Sequence, residues 1–239
     1  MPSPLDLLTP PRCALCTSAG PLLCSRCLLR LPLIDGPLCE RCGAPAERAL
    51  DACAECRGRR LGFDTARAAV LHDGAGRELV HALKTGRLRG IAEHGAGLLA
   101  LVVERPDADL VTWVPPDRWR TIRRGCHPAE LVARALAGRW GIACGPLLAT
   151  AGRRRPQRGL RSAQRRANVR NAFRAATTPP ASVILVDDVH TTGATLSECG
   201  TVLRRAGAAR VSAVTLARAP GPGVAPIPQF GDVEGGVPM

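Results

Sequence analysis

Residues 183–195 read VILVDDVHTTGAT, and this stretch decides the fold. Val183–Val186 is a continuous apolar run, which is typical of a strand buried on both faces of a parallel sheet. Asp187 and Asp188 follow, then a short polar turn, and a helical pattern begins near Leu196. In α/β folds a loop at the carboxyl end of such a strand is a common place for a ligand.

The polar turn has the composition of a phosphate site. Gly193, between the small residues Thr192 and Ala194, allows a ligand to approach the backbone closely. A helix leaves its first N–H groups unpaired, and with the Thr191 and Thr195 hydroxyls these amides suit a phosphate. The preceding acids fit ribose hydroxyls, or a Mg²⁺ that also touches the phosphates. The alternative interpretation is a capped turn with two solvated acids.

The whole stretch, extended to VILVDDVHTTGATL, resembles the phosphoribosyl pyrophosphate signature of type I phosphoribosyltransferases. From about Cys13 to Arg218 the chain is similar to the ComF family, ComFC/GntX-like proteins associated with DNA uptake. The resemblance implies an α/β fold with a type I phosphoribosyltransferase-like parallel sheet flanked by helices. It also implies a transferase that moves a phosphoribosyl group to an acceptor, which the motif does not identify, with loss of pyrophosphate.

The same resemblance implies roles for particular residues. Asp187 and Asp188 take the catalytic position and hold the ribose hydroxyls and Mg²⁺. The residues that bind phosphoribosyl pyrophosphate in this loop are Val189, Thr191, Thr192, Gly193, Ala194 and Thr195.

A second loop is expected after the predicted strand Asp109–Val114. Pro115, Pro116, Asp117 and Arg118 break the chain there, and the resemblance implies that they bind pyrophosphate. The two prolines permit a cis peptide bond, and Arg118 or Arg120 can pair with a phosphate. A plain edge turn is the alternative.

Lys84 is the single lysine of a chain with 33 basic residues. It closes the predicted helix Gly76–Lys84, and the resemblance places it near the phosphoribosyl site. A solvated helix end is the equal alternative. Farther along, the common ComF stretch R-G-F-N-Q is replaced by Arg124-Gly125-Cys126-His127-Pro128, where His127 either takes over a polar role or only begins a helix.

Periodicity predicts the other elements. Strands are expected at Arg67–Leu71, Leu147–Thr150 and Val211–Ala217, and helices at Glu93–Val103 and Glu130–Trp140. In the last of these helices the expected inward face carries Leu131, Ala135 and Leu136.

Eight cysteines form four C-x-x-C pairs: Cys13/Cys16, Cys24/Cys27, Cys39/Cys42 and Cys53/Cys56. Pairs at this spacing predict two structural Zn²⁺ sites, each closed by four thiolates and so without an open position for catalysis. Sequential pairing of neighbouring knuckles is preferred, and interleaved pairing stays open. Few large apolar residues occur in this region, so we expect metal to replace most of a core.

The net charge of +13 favours anionic partners. Residues 152–174 carry nine arginines and no acid. The resemblance implies that this segment is a hood over the substrate, with a nucleic-acid-binding surface or a solvated loop as alternatives. A rival function is therefore a non-enzymatic adaptor that binds single-stranded DNA during uptake and keeps the fold. A weaker third is a regulator that binds phosphoribosyl pyrophosphate without turnover.

The expected organisation is an N-terminal extension (1–12), a double zinc ribbon (13–61), a phosphoribosyltransferase-like domain (62–218) and a disordered Pro/Gly-rich tail (219–239). No apolar run reaches the length of a membrane span, and the N-terminus does not have the pattern of a signal peptide. A cytoplasmic location is expected, with contact to the DNA-uptake machinery.

Overall fold

The computed structural model describes residues 11–85, 88–116, 127–151 and 171–221. Within these ranges the helices are α1 (Ser25–Leu29), α2 (Gly74–Thr85), α3 (Leu88–Val102), α4 (Pro128–Trp140) and α5 (Ala194–Arg205). The strands are β1 (Thr65–Leu71), β2 (Leu110–Trp113), β3 (Ala143–Cys144), β4 (Leu148–Thr150), β5 (Phe173–Ala175), β6 (Ser182–His190) and β7 (Arg210–Arg218).

A five-stranded parallel sheet in the order β1-β7-β6-β2-β3 forms the centre of the fold. β6 lies between β7 and β2, and Val183–Val186 is at most 1% exposed, as the apolar run predicts. The strand is longer than expected, because β7 pairs with it as far as Arg218 opposite His190. Asp187 and Asp188 are therefore held in a hydrogen-bonded strand, not in the turn.

Helices cover both faces of the sheet, since parallel strands need a crossover between them. α2, α3 and α4 contribute to the larger apolar cluster, and α5 packs on the other cluster through Leu196, Cys199 and Leu203. The predicted α/β class, with a parallel sheet flanked by helices, is confirmed. α3 begins five residues before its predicted start at Glu93.

The inward face predicted for α4 is partly wrong. Leu136 is buried, but Leu131 and Ala135 are only half-buried. The buried positions are Pro128, Ala129, Val132, Ala133, Leu136 and Ala137. The buried side chains of α4 share one apolar cluster with those of α3 and the sheet, so long-range packing decides which face of this alanine-rich helix turns inward.

The chain also forms a two-stranded antiparallel sheet, which is separate from the five-stranded sheet. It pairs β4 with β5, and Leu148 lies opposite Ala175. β4 confirms the strand predicted at Leu147–Thr150, whereas β5 was not predicted, because three residues with an exposed arginine at the centre show no strand pattern within the arginine-rich segment. The remainder of the basic segment, residues 152–170, lies outside the described residues.

The N-terminal module covers the edge strand β1. The Ala66 N–H donates to the Arg41 carbonyl at 2.8 Å, and the Ile34 N–H donates to the Ala69 carbonyl at 2.9 Å. An open edge of this kind is a template for aggregation, and the module occupies it. Among the described helices, none combines the length and the apolar character that a bilayer crossing requires.

The expectation that metal replaces the core of this module needs correction for its first part. Cys13, Leu23, Cys27 and Leu31 belong to the larger apolar cluster of the α/β domain. Their burial comes from long-range packing that the local composition does not reveal. The second part matches the expectation better, because its cluster consists mainly of Cys39, Cys42 and Cys56 with alanines.

Candidate functional site

The two acids of β6 lie at the carboxyl end of the sheet, and α2 brings a cation to them. The Lys84 Nζ atom lies 2.8 Å from Asp188 Oδ2, and the side chains are 27% and 23% exposed. Asp187 Oδ1 accepts a hydrogen bond from the Asp188 N–H at 2.9 Å. Lys84 therefore does not fit the interpretation as a solvated helix end, because its ammonium pairs with Asp188.

The two carboxyl groups differ in their affinity for a proton. Burial, followed by the negative charge of Asp188, raises the pKa of Asp187 to about 8. Burial would also raise the pKa of Asp188, but the Lys84 ammonium outweighs it and lowers that pKa below its ordinary value. Near neutral pH the pair thus holds one ionised and one largely protonated carboxyl group, a state that a cation or sugar hydroxyls can shift.

Two histidines stand within electrostatic reach of Asp188. Burial lowers the pKa of His72, helped by the Lys84 ammonium and opposed by Asp188. Burial also lowers the pKa of His127, opposed by Glu130 and Asp188. His127 Nδ1 is buried and has no hydrogen-bond partner among the described residues.

His127 and His72 have different places in the fold. His127 precedes α4 at its N-cap position without a side-chain cap hydrogen bond, so both of its interpretations are compatible with the structure. His72 follows β1, and sequence reasoning missed it. Its position directly after a predicted strand was the available signal.

The threonine–glycine turn joins β6 to α5. Gly193 has φ +67°, a left-handed conformation that favours glycine. Thr191 is exposed, Thr192 and Thr195 are half-buried, and Gly193 and Ala194 are buried. α5 begins at Ala194, shortly after the carboxyl end of β6, and its N-cap position Gly193 provides no side-chain hydrogen bond to its first amides.

The loop after β2 reaches the same edge. Trp113 pairs with Val186, and the Val114 N–H donates to the Val186 carbonyl at 2.9 Å. Pro115 and Pro116 therefore follow β2 beside the point where Asp187 follows Val186. No cis peptide bond occurs in the described parts of the chain, so both prolines are trans. Asp117 and Arg118 lie outside the described residues, as does Cys126.

The eight knuckle cysteines form two tetrads. Within each tetrad, Cys13/Cys16/Cys24/Cys27 and Cys39/Cys42/Cys53/Cys56, the four sulfurs all lie within 4.8 Å of one another. The Sγ atoms of Cys16 and Cys24 are 3.7 Å apart, and those of Cys42 and Cys53 are 3.6 Å apart. Four sulfurs around a tetrahedral zinc ion lie about 3.8 Å from each other. The tetrads fit structural zinc, and sequential pairing is the arrangement present.

The thiols of the first tetrad differ in their affinity for a proton. Hydrogen bonding with Ser18 lowers the pKa of Cys16 to about 5. Burial, with hydrogen bonding to neighbouring thiols, raises the pKa of Cys27 to about 12. Because zinc binds thiolates, metal loading releases the protons that the buried members hold.

Comparison with known proteins adds two kinds of similarity. A family model described as a double zinc ribbon domain matches residues 4–57. The B. subtilis glutamine phosphoribosylpyrophosphate amidotransferase gives a TM-score of 0.37 at 26% identity, covering 52% of this chain and 26% of that one. For the adenine phosphoribosyltransferase of Thermoanaerobacter pseudethanolicus the TM-score is 0.37 at 16% identity, over 59% of this chain and 73% of that one.

The parallel sheet and the two cysteine tetrads define the class: an α/β protein with a parallel sheet flanked by helices and an N-terminal double zinc ribbon module. The chain is 31% identical to DNA utilization protein YhgH of Escherichia coli K12 over 232 residues, covering 89% of this chain and 99% of the relative. It is 40% identical to Competence protein F of Haemophilus influenzae over 114 residues, covering 44% of this chain and 48% of that protein. The chain belongs to the ComF family.

The protonated state of Asp187 predicts a pH-dependent stability. Its pKa is raised from 3.8 to about 8, so the native state holds a proton that the unfolded state has lost. The loss in the free energy of unfolding caused by Asp187 is absent below about pH 4, grows as the pH rises and levels off near pH 8. We expect Asp187→Asn to raise the melting temperature by roughly 4 °C at pH 8, and by less at pH 5. Thermal melts followed by circular dichroism measure this.

The matched control is Asp188→Asn. Asp188 has a lowered pKa because of Lys84, so its ionised form stabilises the fold at any pH above its unfolded pKa. This variant should melt below wild type, with a difference that does not grow between pH 5 and pH 8. A melting temperature of Asp187→Asn below that of wild type at pH 8 would contradict the assignment.

Proposed function

We propose that the chain binds phosphoribosyl pyrophosphate together with Mg²⁺ and transfers the phosphoribosyl group to an acceptor. The observation that carries the proposal is the meeting of three features at one edge of the sheet. These are the Asp187–Asp188 pair, the Lys84 ammonium 2.8 Å from Asp188, and the turn at Gly193. Carboxylates suit sugar hydroxyls and Mg²⁺, whereas free amides and an ammonium suit phosphate.

Each part of the substrate has a proposed partner. The turn from Thr191 to Thr195 holds the 5-phosphate, because the first amides of α5 have no partner within the helix. Asp187 and Asp188 hold the ribose hydroxyls. Pro115, Pro116, Asp117 and Arg118 hold the pyrophosphate.

A bound Mg²⁺ would neutralise charge on the pyrophosphate, and Asp187 and Asp188 are the residues that would hold it. Carboxylate oxygens are the ligands that Mg²⁺ prefers. Ionisation of Asp187, whose pKa is raised to about 8 in the free protein, would accompany binding. We therefore expect proton release on binding at pH 7.

The reaction would break the bond between the ribose C1 and the pyrophosphate oxygen. The electron pair leaves with the pyrophosphate, and a nucleophilic atom of the acceptor forms the new bond to C1. Lys84 lies close enough to Asp188 to keep it ionised while the positive charge on the ribose develops. The names of the relatives, DNA utilization protein and Competence protein F, support a link between this activity and DNA uptake.

Calorimetry with wild-type protein tests the binding step. We expect a one-to-one heat with phosphoribosyl pyrophosphate that needs Mg²⁺, and weaker binding of ribose 5-phosphate and of pyrophosphate alone. Repeating the titration in buffers of different ionisation enthalpy measures the released proton. Equal heats with and without Mg²⁺, or none at all, would reject the proposed binding. A pyrophosphate-release assay over bases and amines then searches for the acceptor.

The second candidate is an adaptor that binds single-stranded DNA without catalysis. The net charge of +13 favours it, and the two functions are compatible in one chain. Fluorescence anisotropy with a labelled oligonucleotide at several salt concentrations measures this binding. Strong, salt-dependent binding by a protein with no heat for phosphoribosyl pyrophosphate would favour the adaptor.

A further inference from the structure

Arg218, the last residue of β7, is a buried cation between the second zinc tetrad and the end of β6. It is 1% exposed. Its Nη1 donates to the Cys42 carbonyl at 2.7 Å, its Nη2 lies 3.5 Å from Cys42 Sγ, and Glu55 is 3.6 Å away. A buried guanidinium is costly unless it is paired, so this position needs negative charge nearby.

The cysteine tetrad supplies that charge when it holds zinc. Four thiolates and one Zn²⁺ leave a net negative charge, and Cys42 is the member that contacts Arg218. Hydrogen bonds from the surroundings commonly orient metal ligands and stabilise their charge. The thiolate of Cys42 would therefore stabilise the Arg218 charge on the side of the metal, in addition to the Glu55 carboxylate 3.6 Å away.

The other side of Arg218 faces the phosphate loop. Its Nη1 lies 3.0 Å from His190 Nδ1 and 3.3 Å from His190 Nε2, and the Ala219 N–H donates to the His190 carbonyl at 2.8 Å. Burial, followed by the charges of Arg218 and Arg59, lowers the pKa of His190 to about 3. The imidazole is thus neutral, and a ring nitrogen can accept a hydrogen bond from the guanidinium N–H.

His190 in turn supports the turn at Gly193. A Cβ atom added to Gly193 would lie 2.7 Å from His190 Nε2, so the imidazole packs directly against the loop backbone. Phe63 holds the ring from another side, with its centroid 6.2 Å away in an edge-to-face arrangement. The contacts run without a gap from Cys42 through Arg218 and His190 to Gly193.

We propose that Arg218 is a positioning residue that couples the second zinc site to the phosphate loop. The inference rests on the proposed function only for the identity of the ligand. Zinc holds Cys42, Cys42 fixes the guanidinium, and the guanidinium fixes the imidazole beneath Gly193. Because such coupling is reciprocal, a ligand on the loop also strengthens zinc binding at Cys39/Cys42/Cys53/Cys56.

Arg218→Met in the full-length protein tests the coupling, with amide hydrogen exchange of the loop peptide as the readout. We expect exchange around residues 190–195 to become about tenfold faster, since a buried charged hydrogen bond is lost. Zinc should leave one tetrad at a lower chelator concentration, and Arg218→Lys should restore part of the protection. Affinity for phosphoribosyl pyrophosphate should fall by a similar factor.

Arg41→Met is the matched control. Arg41 donates to the Cys56 and Arg59 carbonyls, each at 2.9 Å, so it supports the same ribbon without touching the loop. This variant should leave loop exchange as in wild type. Loop exchange unchanged in Arg218→Met, or accelerated equally in both variants, overturns the coupling.

The failure of the proposed function is distinguishable from the failure of the coupling. If wild type binds no phosphoribosyl pyrophosphate while Arg218→Met still frees the loop, the ligand is wrong and the coupling stands. If Arg218→Met does not fold, Arg218→Lys at saturating zinc provides the same exchange readout. Loop exchange in Arg218→Lys as slow as in wild type then overturns the coupling.

Discussion

Replacing Asp187 and Asp188 together by asparagine should reduce the affinity for phosphoribosyl pyrophosphate by about 100-fold or more. Each carboxylate is proposed to accept hydrogen bonds from ribose hydroxyls or to hold Mg²⁺, and bonds to charged groups contribute about 1.5–3 kcal/mol each. Two such losses correspond to at least this factor in the dissociation constant. Asparagine keeps the shape of the side chain, so the change isolates the charge.

Calorimetry at fixed Mg²⁺ measures the effect. The matched control is Glu130→Gln. This change removes a carboxylate that pairs with Arg134 on α4 and is not among the proposed binding residues. Its affinity should match that of wild type. Equal heats for wild type and the double asparagine variant would place the ligand elsewhere.

The same double variant should remain folded. Asp187 is destabilising when it ionises, whereas Asp188 is stabilising through Lys84, so the two changes act in opposite directions on the free energy of unfolding. A lost heat with an unchanged melting curve would therefore report binding and not unfolding.

Removing zinc is the second large effect. Structural zinc in small modules binds with an apparent free energy of about 10–16 kcal/mol, comparable with the whole stability of a domain. Cys13, Leu23 and Cys27 lie in the same apolar cluster as Leu79 and Leu83 of α2. We expect chelation to destabilise the α/β sheet as well as the ribbons, in one cooperative transition.

Circular dichroism melts before and after treatment with a strong chelator, with released zinc counted colorimetrically, test this expectation. Two zinc ions per chain should be found. Cys144→Ser is the control, because Cys144 lies half-buried in β3 outside both tetrads. A sheet that melts at the same temperature after both ions have left would show that the ribbons stabilise only themselves.

The elements that the sequence determined by itself depend on contacts between near neighbours along the chain. The C-x-x-C spacing fixed eight zinc-ligand candidates, since each knuckle is a local turn. The stretch Val183–Thr195 likewise contained its own strand, acids, turn and helix start. The apolar run predicts a buried strand and Gly193 predicts a positive φ. Both properties can be recognised within this one short segment.

Only the tertiary structure decided which distant residues meet. Lys84 reaches Asp188 from α2, and Arg218 joins Cys42 to His190, through contacts that no local pattern expresses. The raised pKa of Asp187 has the same origin, because burial by the surrounding elements causes it. The order of the strands in the sheet brings these distant residues into contact, and that order results from the packing of the whole chain. Sequence spacing along one element cannot specify it.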